Sequence, residues 1–421
     1  MARLTIDDRR ERALVAVADA LLAPIALRRV LRRRDSAPPQ RILCFRLERI
    51  GDLLMTGPAL AELRALAPGA SIDLVVGSWN REIAAAMPGV DRVETLDAEW
   101  LSRGDEATGL SPLGLALQVA GWRSRKYDLA INFEPDIRTN IAIAAVGAGR
   151  TVGFASGGGG ALLDVALDYD PAAHTVDNAR RLVQVAAGRM EEGPVEWTLR
   201  IPESHRADAA RLLAPIRGGP ATGLGEGPST RLRTGPMVGM HVSGGRAIKQ
   251  WPETRFRELA ERLVRERSAS IVLTGTAGDR AQVDIVRSVL PPQRVVDLSG
   301  DVDLLTAAAA IAQLDLFVTG DTGPMHLANA VGTPIVAVFG PSDPRRYAPR
   351  GPRDTVVRID LPCSPCNRIR RPPERCVGHT PDCLSGIEVA QVLAAIDETL
   401  RLEIPRAGSG QAPLPNSERA R

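Results

Sequence analysis

The chain has 421 residues, of which 44% are hydrophobic and 24% are charged, a composition typical of soluble globular proteins with room for two domains. Its formal net charge of +3 is too small to indicate binding to nucleic acid. Nucleic acid is therefore not an expected partner.

Residues 1–40 differ from the rest of the chain and form a basic leader. Nine arginines and four acidic residues lie among residues 1–34, around an apolar stretch at residues 13–27. Asp19 and Pro24 interrupt this stretch, which is too short to span a bilayer, and the acidic residues before it argue against a cleavable signal. Two interpretations remain open: an amphipathic helix on an anionic membrane surface, and an ordinary solvated helix or disordered leader.

From residue 41 to residue 190 the sequence alternates between predicted strands and predicted helices. Short apolar or β-branched runs predict strands at 41–47, 71–77, 92–97, 128–133 and 151–154. Helices are predicted between and after them at 51–67, 80–87, 113–126, 138–147 and 177–189. Such alternation is typical of a parallel sheet covered by helices on both faces, so this region is predicted to be a Rossmann-like domain.

The second half of the chain repeats this organisation after a change in composition. Residues 191–236 are predicted to be a linker, because 215–236 are rich in Gly, Pro, Ser and Thr and too poor in apolar residues to order themselves. Residues 237–402 predict a second Rossmann-like domain, and the tail at 403–421 is predicted to be disordered. The predicted fold is thus α/β, with two doubly wound parallel sheets that face a cleft where ligands collect.

The segment 315–344 carries the strongest functional signal. A predicted buried strand ends in a Gly-Asp-Thr-Gly turn, and a short helix of small residues follows before the next buried strand. Gly320 and Gly323 allow a tight turn and the close approach of a ligand, and Pro324 suits the first turn of the helix. The free amides and the positive dipole end at this helix start predict a site for a phosphate or diphosphate.

Asp52 follows the first predicted strand, where the chain turns into a helix. A carboxylate at this edge of the sheet points into the predicted cleft, where it can serve a ligand site. The same position also suits an aspartate that caps the helix. The residues alone leave both interpretations open.

A second candidate site follows the first strand of the C-terminal domain. Ser243, Gly244 and Gly245 lie at the carboxyl end of that strand, and Lys249 comes four residues later. Lys249 is one of only two lysines in a chain that otherwise uses arginine, the other being Lys126. A retained lysine indicates a specific role, and the alternative is an ordinary surface lysine.

The loop after the next strand of this domain contains Gly275 and Asp279. A carboxylate at this position can accept hydrogen bonds from both ribose hydroxyls of a nucleotide, and the alternative is an N-cap for the following helix. Asp301 and Asp303 have the spacing of a metal-binding pair, but they begin a predicted helix and are interpreted as capping residues.

Four of the five cysteines cluster near the end of the chain with the spacing C-x2-C-x9-C-x6-C. This spacing is compatible with a structural zinc site, with disulfides and with reduced structural thiols. The fifth cysteine, Cys44, lies within the first predicted strand and is expected in the core. The clustered residues are Cys363, Cys366, Cys376 and Cys383.

These motifs resemble those of the ADP-heptose:lipopolysaccharide heptosyltransferase family, glycosyltransferase family nine. The family shows an Asp-Thr-Gly-x-x-His turn, then Gly-x-Pro and Phe-Gly-Pro-(Thr/Ser), and also Gly-Asp-x-(Leu/Val)-x-Thr-x-Pro-Ala-Leu and Lys-x-Trp-Pro. The resemblance covers about residues 41–402, and its matched positions are Asp321, Thr322, Gly323, His326, Gly332, Pro334, residues 339–342, residues 51–60, Lys249, Trp251 and Pro252.

The resemblance implies the GT-B architecture and an inverting, metal-independent transfer of heptose from ADP-heptose to an inner-core saccharide of lipopolysaccharide. In this interpretation Asp52 deprotonates the acceptor hydroxyl, and Lys249 with the amides of Thr322 and Gly323 holds the departing diphosphate. No cofactor is implied beyond a possible structural zinc. The acceptors of the family are acidic glycolipids, so the basic residues Arg138 and His174 are candidates on the acceptor side. The resemblance also implies that the enzyme works at the cytoplasmic face of the inner membrane.

Two features depart from the family, the insertion at 215–236 and the arginine-rich leader. One alternative is a related transferase that uses another nucleotide sugar or acceptor. A second is a nucleotide-sugar epimerase on the same two-domain scaffold, which needs acidic pairs that flank the sugar and turns over without an acceptor. A third is a non-catalytic partner in glycan assembly that keeps the fold.

Overall fold

The computed structural model of the chain describes residues 8–30, 38–98, 109–189, 195–217 and 235–401, together with residues 4, 100 and 193. The predicted disordered tail and most of the predicted Gly/Pro-rich insertion lie outside the described residues. The described chain forms two α/β domains, each built on a six-stranded parallel sheet. The predicted fold class is confirmed.

The first sheet runs in the order β3-β2-β1-β4-β5-β6, so the strand order reverses between β1 and β4. Its strands are β1 Arg41–Phe45, β2 Ser71–Val76, β3 Arg92–Thr95, β4 Leu129–Asn132, β5 Arg150–Phe154 and β6 Val165–Leu167. Apolar residues of β1, β2 and β4 are buried on both faces of the sheet, as expected for central parallel strands. The sequence did not predict β6, a three-residue edge strand without a long apolar run.

The helices of this half of the chain are α1 Arg9–Val30, α2 Ile50–Leu54, α3 Gly57–Leu66, α4 Arg81–Ala85, α5 Pro112–Trp122, α6 Ile137–Val146 and α7 Thr175–Ala187. The single helix predicted over 51–67 is in fact two. Pro58 has no N–H to continue the helical hydrogen bonds, and the chain restarts at Thr56, the N-cap of α3.

The second sheet repeats the first, in the order β9-β8-β7-β10-β11-β12 when read from its other edge. Its strands are β7 Met237–His241, β8 Ser270–Thr274, β9 Val295–Asp297, β10 Leu316–Gly320, β11 Ile335–Val338 and β12 Thr355–Val357. The later helices are α8 Glu203–Arg217, α9 Glu253–Arg267, α10 Arg280–Arg287, α11 Leu304–Ile311, α12 Gly323–Ala330, α13 Pro344–Tyr347, α14 Asp382–Ser385 and α15 Val389–Arg401.

Helix α8 lies inside the predicted linker and packs against α11 of the C-terminal domain. Ala209, Leu213 and Ile216 are spaced along one face of α8 and are buried there. The predicted linker at 191–236 therefore contains an ordered helix.

Helix α1, from the basic leader, docks onto the N-terminal domain. Val15 is buried and contacts Gly158. A Cβ on Gly158 would lie 2.2 Å from the Cγ1 of Val15, so there is no room for a side chain at Gly158. The Gly159 N–H donates to the Asp19 carboxylate at 2.5 Å. Leu14, Val17 and Leu21 face outward and are exposed. The leader thus contains a helix, which both interpretations allowed, and its apolar residues lie on two sides of that helix.

Candidate active site

Both sheets change strand order at their centre, and the candidate residues follow the strands at these two switch points. Asp52 follows β1 and Glu134 follows β4 in the first domain; Ser243 follows β7 and Asp321 follows β10 in the second. Ligands bind at the carboxyl ends of parallel strands beside such a reversal, because two neighbouring loops diverge there and leave a crevice. The topology therefore places the predicted residues where a site is expected.

Asp52 lies in the first turn of α2 beside a buried arginine. The N-cap of α2 is Arg49, so Asp52 does not occupy the capping position that the alternative interpretation gave it. Its Oδ1 lies 3.4 Å from the Arg46 Nη2, and its side chain is 29% exposed. The Arg46 guanidinium is fixed by donating to the Phe133 carbonyl at 2.8 Å and to the Asp52 carbonyl at 3.2 Å. The carboxylate is thus held in place and open to a ligand.

Glu134 and Glu48 complete this carboxylate cluster. The Glu134 carboxylate accepts the N–H groups of Leu47 and Glu48, which fixes the turn between β1 and α2. Burial and the nearby Glu48 charge raise the pKa of Glu134 to about 8. Burial and the Asp52 charge likewise raise the pKa of Glu48, whose Oε2 lies 3.5 Å from Arg46. Arg46 is therefore the shared counter-ion of Asp52 and Glu48.

The raised pKa of Glu134 predicts a pH dependence of stability. Between about pH 4.3, the unfolded value, and about pH 8, the folded protein keeps a proton that the unfolded chain releases, so stability falls as pH rises. The variant Glu134→Gln keeps an acceptor for both N–H groups and lacks this proton. Wild type should lose stability between about pH 5 and pH 8, and the variant should not. The difference in free energy of unfolding, variant minus wild type, should therefore grow by at least ~1 kcal/mol over this range. Denaturant titrations at both pH values measure this difference, and parallel curves would contradict it.

In the second domain, Lys249 and Asp321 form a close ion pair. The Lys249 Nζ lies 2.6 Å from the Asp321 Oδ2, and the two side chains are only 21% and 9% exposed. Lys249 is therefore not the surface lysine of the alternative interpretation. Asp321 directly precedes Thr322, the N-cap of α12, so the ammonium group lies beside the amino end of that helix. Positive charge and free amides meet there, as an anion site requires.

The two half-sites touch through α2 and α12. A Cβ on Gly51 would lie 2.9 Å from the His326 Cδ2, and a Cβ on Gly323 would lie 2.7 Å from the Ile50 Cγ2. Burial lowers the pKa of His326, which favours a neutral ring at this contact. Glycine at both positions lets the turn that carries Asp52 approach the amino end of α12.

Gly51→Ala therefore tests whether this approach matters. The added methyl group must push the helices apart, at a cost of about 1–3 kcal/mol by the usual penalty for overpacking, and we expect catalytic activity to fall about tenfold or more. Gly69→Ala is the matched control, because a Cβ there meets nothing within 4 Å. Steady-state rates and melting temperatures of both variants measure the effect. Equal rates for the two variants would contradict it.

The loops after β7 and β8 lie next to this anion site. Gly244 is close to Thr322, since a Cβ on Gly244 would lie 3.1 Å from the Thr322 Cγ2. The Ser243 hydroxyl lies 3.2 Å from the His241 Nε2. Asp279 accepts the N–H and the hydroxyl of Thr276, both at 2.7 Å, in a capping box. Burial would raise the pKa of Asp279, but hydrogen bonds from Thr276 and Ser243 outweigh it and lower the pKa.

The remaining donor-side predictions are placed as follows. Gly245 is exposed in the loop after β7, and a Cβ on Gly275 would lie 3.1 Å from the Asp279 Cβ. Asp279 lies in the loop after β8, where the ribose-binding interpretation places it. It also takes part in a cap, in line with the alternative interpretation. Trp251 is fully buried and its indole N–H donates to the Ile387 carbonyl at 3.1 Å, so it packs the core of the C-terminal domain.

Arg138 and His174 occupy different surroundings. Arg138 binds the Asp136 carboxylate through two nitrogens, packs over the Trp100 ring at 4.9 Å and is partly exposed. The His174 Nδ1 accepts the Val176 N–H at 3.2 Å, and its Nε2 lies 3.0 Å from the Ala348 carbonyl. His174 is buried and joins the two domains, which corrects its expected place on the acceptor side. A lone histidine in sequence gave no sign of these two backbone partners.

The four clustered cysteines lie close enough to affect one another. Burial first, and then the charges of the other three thiols, raise the pKa of Cys383 to about 11. All four are free thiols. Within the described ranges, however, no group of three or more His, Cys, Asp or Glu side chains is arranged to hold a metal ion. The described residues therefore provide no ligand set for the structural zinc that the cysteine spacing allowed.

Asp303 is the N-cap of α11, as predicted, with its carboxylate 2.7 Å from the Thr306 nitrogen.

Comparison with known proteins decides the family. The model of glycosyltransferase family 9 (heptosyltransferase) matches residues 120–376, which is more than half of the chain. The chain belongs to glycosyltransferase family 9. It is therefore a glycosyltransferase, and its GT-B architecture agrees with the structural relatives of this family.

Individual family members are distant relatives. Lipooligosaccharide heptosyltransferase 2 of Haemophilus influenzae is 25% identical over 74% of this chain and 86% of its own length. Lipopolysaccharide heptosyltransferase 1 of Pseudomonas aeruginosa is 28% identical over 77% of this chain and 86% of its own length. The solved structure of ADP-heptose lipopolysaccharide heptosyltransferase II of Escherichia coli is 22% identical, has a TM-score of 0.67, and covers 86% of this chain and 99% of that one.

Sequence reasoning missed three charged residues that follow the central strands β1 and β4, namely Arg46, Glu48 and Glu134. Arg46 and Glu48 belong to the Arg-Leu-Glu-Arg-Ile-Gly-Asp run that leads to Asp52, so their proximity was a usable signal. Glu134 directly follows Phe133 at the end of the neighbouring strand, where side chains meet the same edge of the sheet. A search for charged residues after adjacent strands would have found all three.

Proposed function

We propose that the protein is an inverting, metal-independent heptosyltransferase that moves heptose from ADP-heptose to an inner-core saccharide of lipopolysaccharide. The observation that carries this proposal is the juxtaposition of two half-sites. The turn that bears Asp52 contacts the amino end of α12, beside the Lys249–Asp321 pair. The names of the relatives from H. influenzae, P. aeruginosa and E. coli support the choice of heptose and of a lipopolysaccharide acceptor.

The proposed reaction is a single displacement. The Asp52 carboxylate takes the proton of an acceptor hydroxyl, and the oxygen attacks the anomeric carbon from the face opposite the diphosphate. The bond from this carbon to the diphosphate oxygen breaks, and its electron pair leaves with the diphosphate. One displacement of this kind inverts the anomeric configuration.

The departing diphosphate needs positive charge that is already in position. Lys249 provides an ammonium group that Asp321 holds at 2.6 Å. Gly323 opens α12, so the N–H groups of Thr322 and Gly323 have no acceptor within the helix. Fixed donors of this kind stabilise charge that develops in the transition state, and they take the part that a divalent cation plays in other transferases.

The nucleotide is proposed to lie over the loops after β7 and β8. Gly244, next to Thr322, lets the backbone approach the diphosphate closely. Asp279 is proposed to accept the ribose hydroxyls, and its hydrogen bonds from Thr276 hold the carboxylate in its charged form. Ser243, from the loop after β7, also lowers the pKa of Asp279, so the two loops lie close together at this carboxylate.

We also propose that the enzyme works at the cytoplasmic face of the inner membrane. None of the described helices is long and apolar enough to cross a membrane. Leu14 and Leu21 on the outer side of α1 are 73% and 76% exposed, and five arginines follow them in sequence at 28, 29 and 32–34. Exposed leucines beside a basic segment suit the interface of an anionic bilayer, which is where a glycolipid acceptor lies.

Calorimetric titration of the purified protein with ADP, UDP, GDP and ADP-heptose tests the donor. We expect selective binding of ADP and ADP-heptose. A preference for UDP or GDP would keep the displacement mechanism but replace the donor, and the absence of binding to all four would contradict the assignment of the α12 site.

A further inference from the structure

Trp79 is an exposed aromatic residue at the edge of the N-terminal sheet that also carries Asp52. It lies in the loop after β2, and β2 pairs in parallel with β1, the strand that leads to Asp52. The Arg46 N–H donates to the Val75 carbonyl at 2.9 Å, so the pairing continues to the end of both strands. Trp79 is 44% exposed, although its indole is one of the largest apolar groups that folding can bury. A large aromatic ring is thus open to solvent beside the loop of the proposed base.

The backbone around Trp79 is fixed by a tight turn. The Asn80 N–H donates to the Gly77 carbonyl at 2.9 Å, which closes a single 3-10 turn over Ser78–Asn80. The Ser78 N–H donates to the Asp97 carboxylate at 2.8 Å, so the turn is also tied to the loop after β3. These bonds hold the backbone of Trp79 in place before any ligand binds.

The indole is joined to the turn that carries Asp52. Its Nε1–H donates to the Glu48 carbonyl at 3.3 Å, and the Asn80 side-chain amide donates to the same oxygen at 2.8 Å. The Glu48 carboxylate lies 3.5 Å from the Arg46 guanidinium, which lies 3.4 Å from the Asp52 carboxylate. A short chain of contacts therefore connects the ring to the proposed base.

Gly77 lies against one flat face of the ring. A Cβ on Gly77 would lie 2.2 Å from the Trp79 Cζ2 and 2.5 Å from each of its ring neighbours, Cε2 and Cη2. Near-equal distances to three consecutive ring atoms place this point above the ring face, because a point beyond the edge would be nearest to one carbon by a wider margin. The backbone of Gly77 is extended, with φ −67° and ψ 148°, so its conformation does not require glycine. Glycine is needed there because the ring lies on it, and the exposed area of Trp79 therefore belongs to the opposite face and the ring edge.

A sugar ring has the chemistry that such a surface binds. The chain belongs to a glycosyltransferase family, so its substrates carry sugars. One face of a pyranose ring presents several C–H groups, whose partial positive charge suits the negative face of an aromatic ring, while the hydroxyl groups around the rim stay free for hydrogen bonds. The donor is proposed to bind the other domain, where Lys249 and the amino end of α12 lie. The aromatic face beside the Asp52 turn therefore suits the acceptor.

We propose that Trp79 is a stacking platform for a sugar ring of the acceptor, which turns the attacking hydroxyl toward Asp52. The inference rests on the proposed function, because it assumes that Asp52 takes the proton of a saccharide hydroxyl. An aromatic side chain that is already held in place loses little conformational entropy when a ligand binds, so it orients the sugar at low cost. Gly77 is a positioning residue, since it acts on the sugar through the ring that lies on it.

The test compares Trp79→Leu, Trp79→Phe and Gly77→Ala in the full chain. Trp79→Leu removes the aromatic face, Trp79→Phe keeps one, and Gly77→Ala leaves the indole present but displaces it. Trp100→Leu is the matched control for loss of an exposed tryptophan, because the Arg138 guanidinium already packs over that ring at 4.9 Å. Gly69→Ala controls for an added methyl group, because a Cβ there meets nothing within 4 Å.

The probes are ADP and a deacylated inner-core oligosaccharide, the latter added to the ADP-loaded protein. Calorimetry measures the Kd of each probe. Proton NMR of the oligosaccharide measures the upfield shifts that an aromatic ring induces in C–H protons stacked on its face. Both methods report binding without transfer, so failure of the proposed reaction is recognised separately.

We expect Trp79→Leu and Gly77→Ala to weaken oligosaccharide binding about tenfold, as for loss of an aromatic anchor, and Trp79→Phe to weaken it about threefold or less. The upfield shifts seen with wild type should be absent with Trp79→Leu. The ADP Kd should stay unchanged in every variant, and Trp100→Leu and Gly69→Ala should bind the oligosaccharide as wild type does.

Three results would overturn the inference. One is an equal oligosaccharide Kd for wild type and Trp79→Leu, and another is the same proton shifts with both proteins. A higher ADP Kd in Trp79→Leu would assign the ring to the donor instead. Absence of oligosaccharide binding to wild type would contradict the proposed acceptor and this inference together, whereas binding without transfer would contradict only the proposed reaction.

Discussion

Asp52→Asn should lower the turnover number for sugar transfer by about 10²–10⁴-fold, the range typical for loss of a general base. The amide keeps the shape of the side chain beside Arg46 but cannot accept the hydroxyl proton. The Kd values for ADP and the nucleotide sugar should stay unchanged, because the proposed donor site belongs to the other domain. Rates measured at saturating donor and acceptor, with calorimetric Kd values, check both expectations.

Glu48→Gln is the matched control for this experiment. It removes the other carboxylate that shares Arg46 and leaves Asp52 in place. We expect it to retain most of the activity. Near wild-type transfer by Asp52→Asn, with donor binding intact, would show that the base is another group, and a larger loss in Glu48→Gln than in Asp52→Asn would point to Glu48.

Lys249→Met should also have a large effect, but of a different kind. The variant removes the ammonium group beside the amino end of α12 and leaves the Asp321 carboxylate, 9% exposed, without its partner. We expect kcat/KM to fall about 10²–10³-fold, as for loss of one preorganised donor to a leaving group, and the ADP Kd to rise about tenfold. Transfer kinetics and ADP titration measure the two effects.

Lys126→Met provides the control, since it removes the only other lysine of the chain from an exposed position. It should leave both the rates and ADP binding unchanged. An unchanged ADP Kd in Lys249→Met would mean that the lysine does not face the diphosphate, and the assignment of the donor site would then rest on α12 alone.

The two sheets could be predicted from the sequence because their central strands are nearly continuous apolar runs between helical segments. The edge strands β6 and β12 could not, since three residues such as Val165–Leu167 give no periodic signal. Helix α8 was missed for another reason. Its three buried residues, Ala209, Leu213 and Ile216, are separated by Arg, Leu and Pro residues that blur the apolar face in the sequence.

The candidate site shows a similar division. Residues in short contiguous motifs, such as Asp52 and Asp321, could be found because glycine turns mark the ends of their strands. Partners from distant segments could not be found, because only the fold brings His174 near the Ala348 carbonyl. The N-cap interpretation of Asp52 was likewise excluded only when α2 proved to begin at Ile50, with Arg49 as its N-cap.

The most direct test of the central claim is a transfer assay with ADP-heptose and a deacylated inner-core acceptor in the presence of a chelator. Mass spectrometry follows the acceptor, NMR gives the configuration of the new linkage, and chromatography measures ADP. The proposal predicts ADP release in equal amount to an acceptor that has gained one heptose, with inverted configuration and no requirement for added metal. Consumption of ADP-heptose without acceptor, or transfer only after a divalent metal is restored, would contradict it.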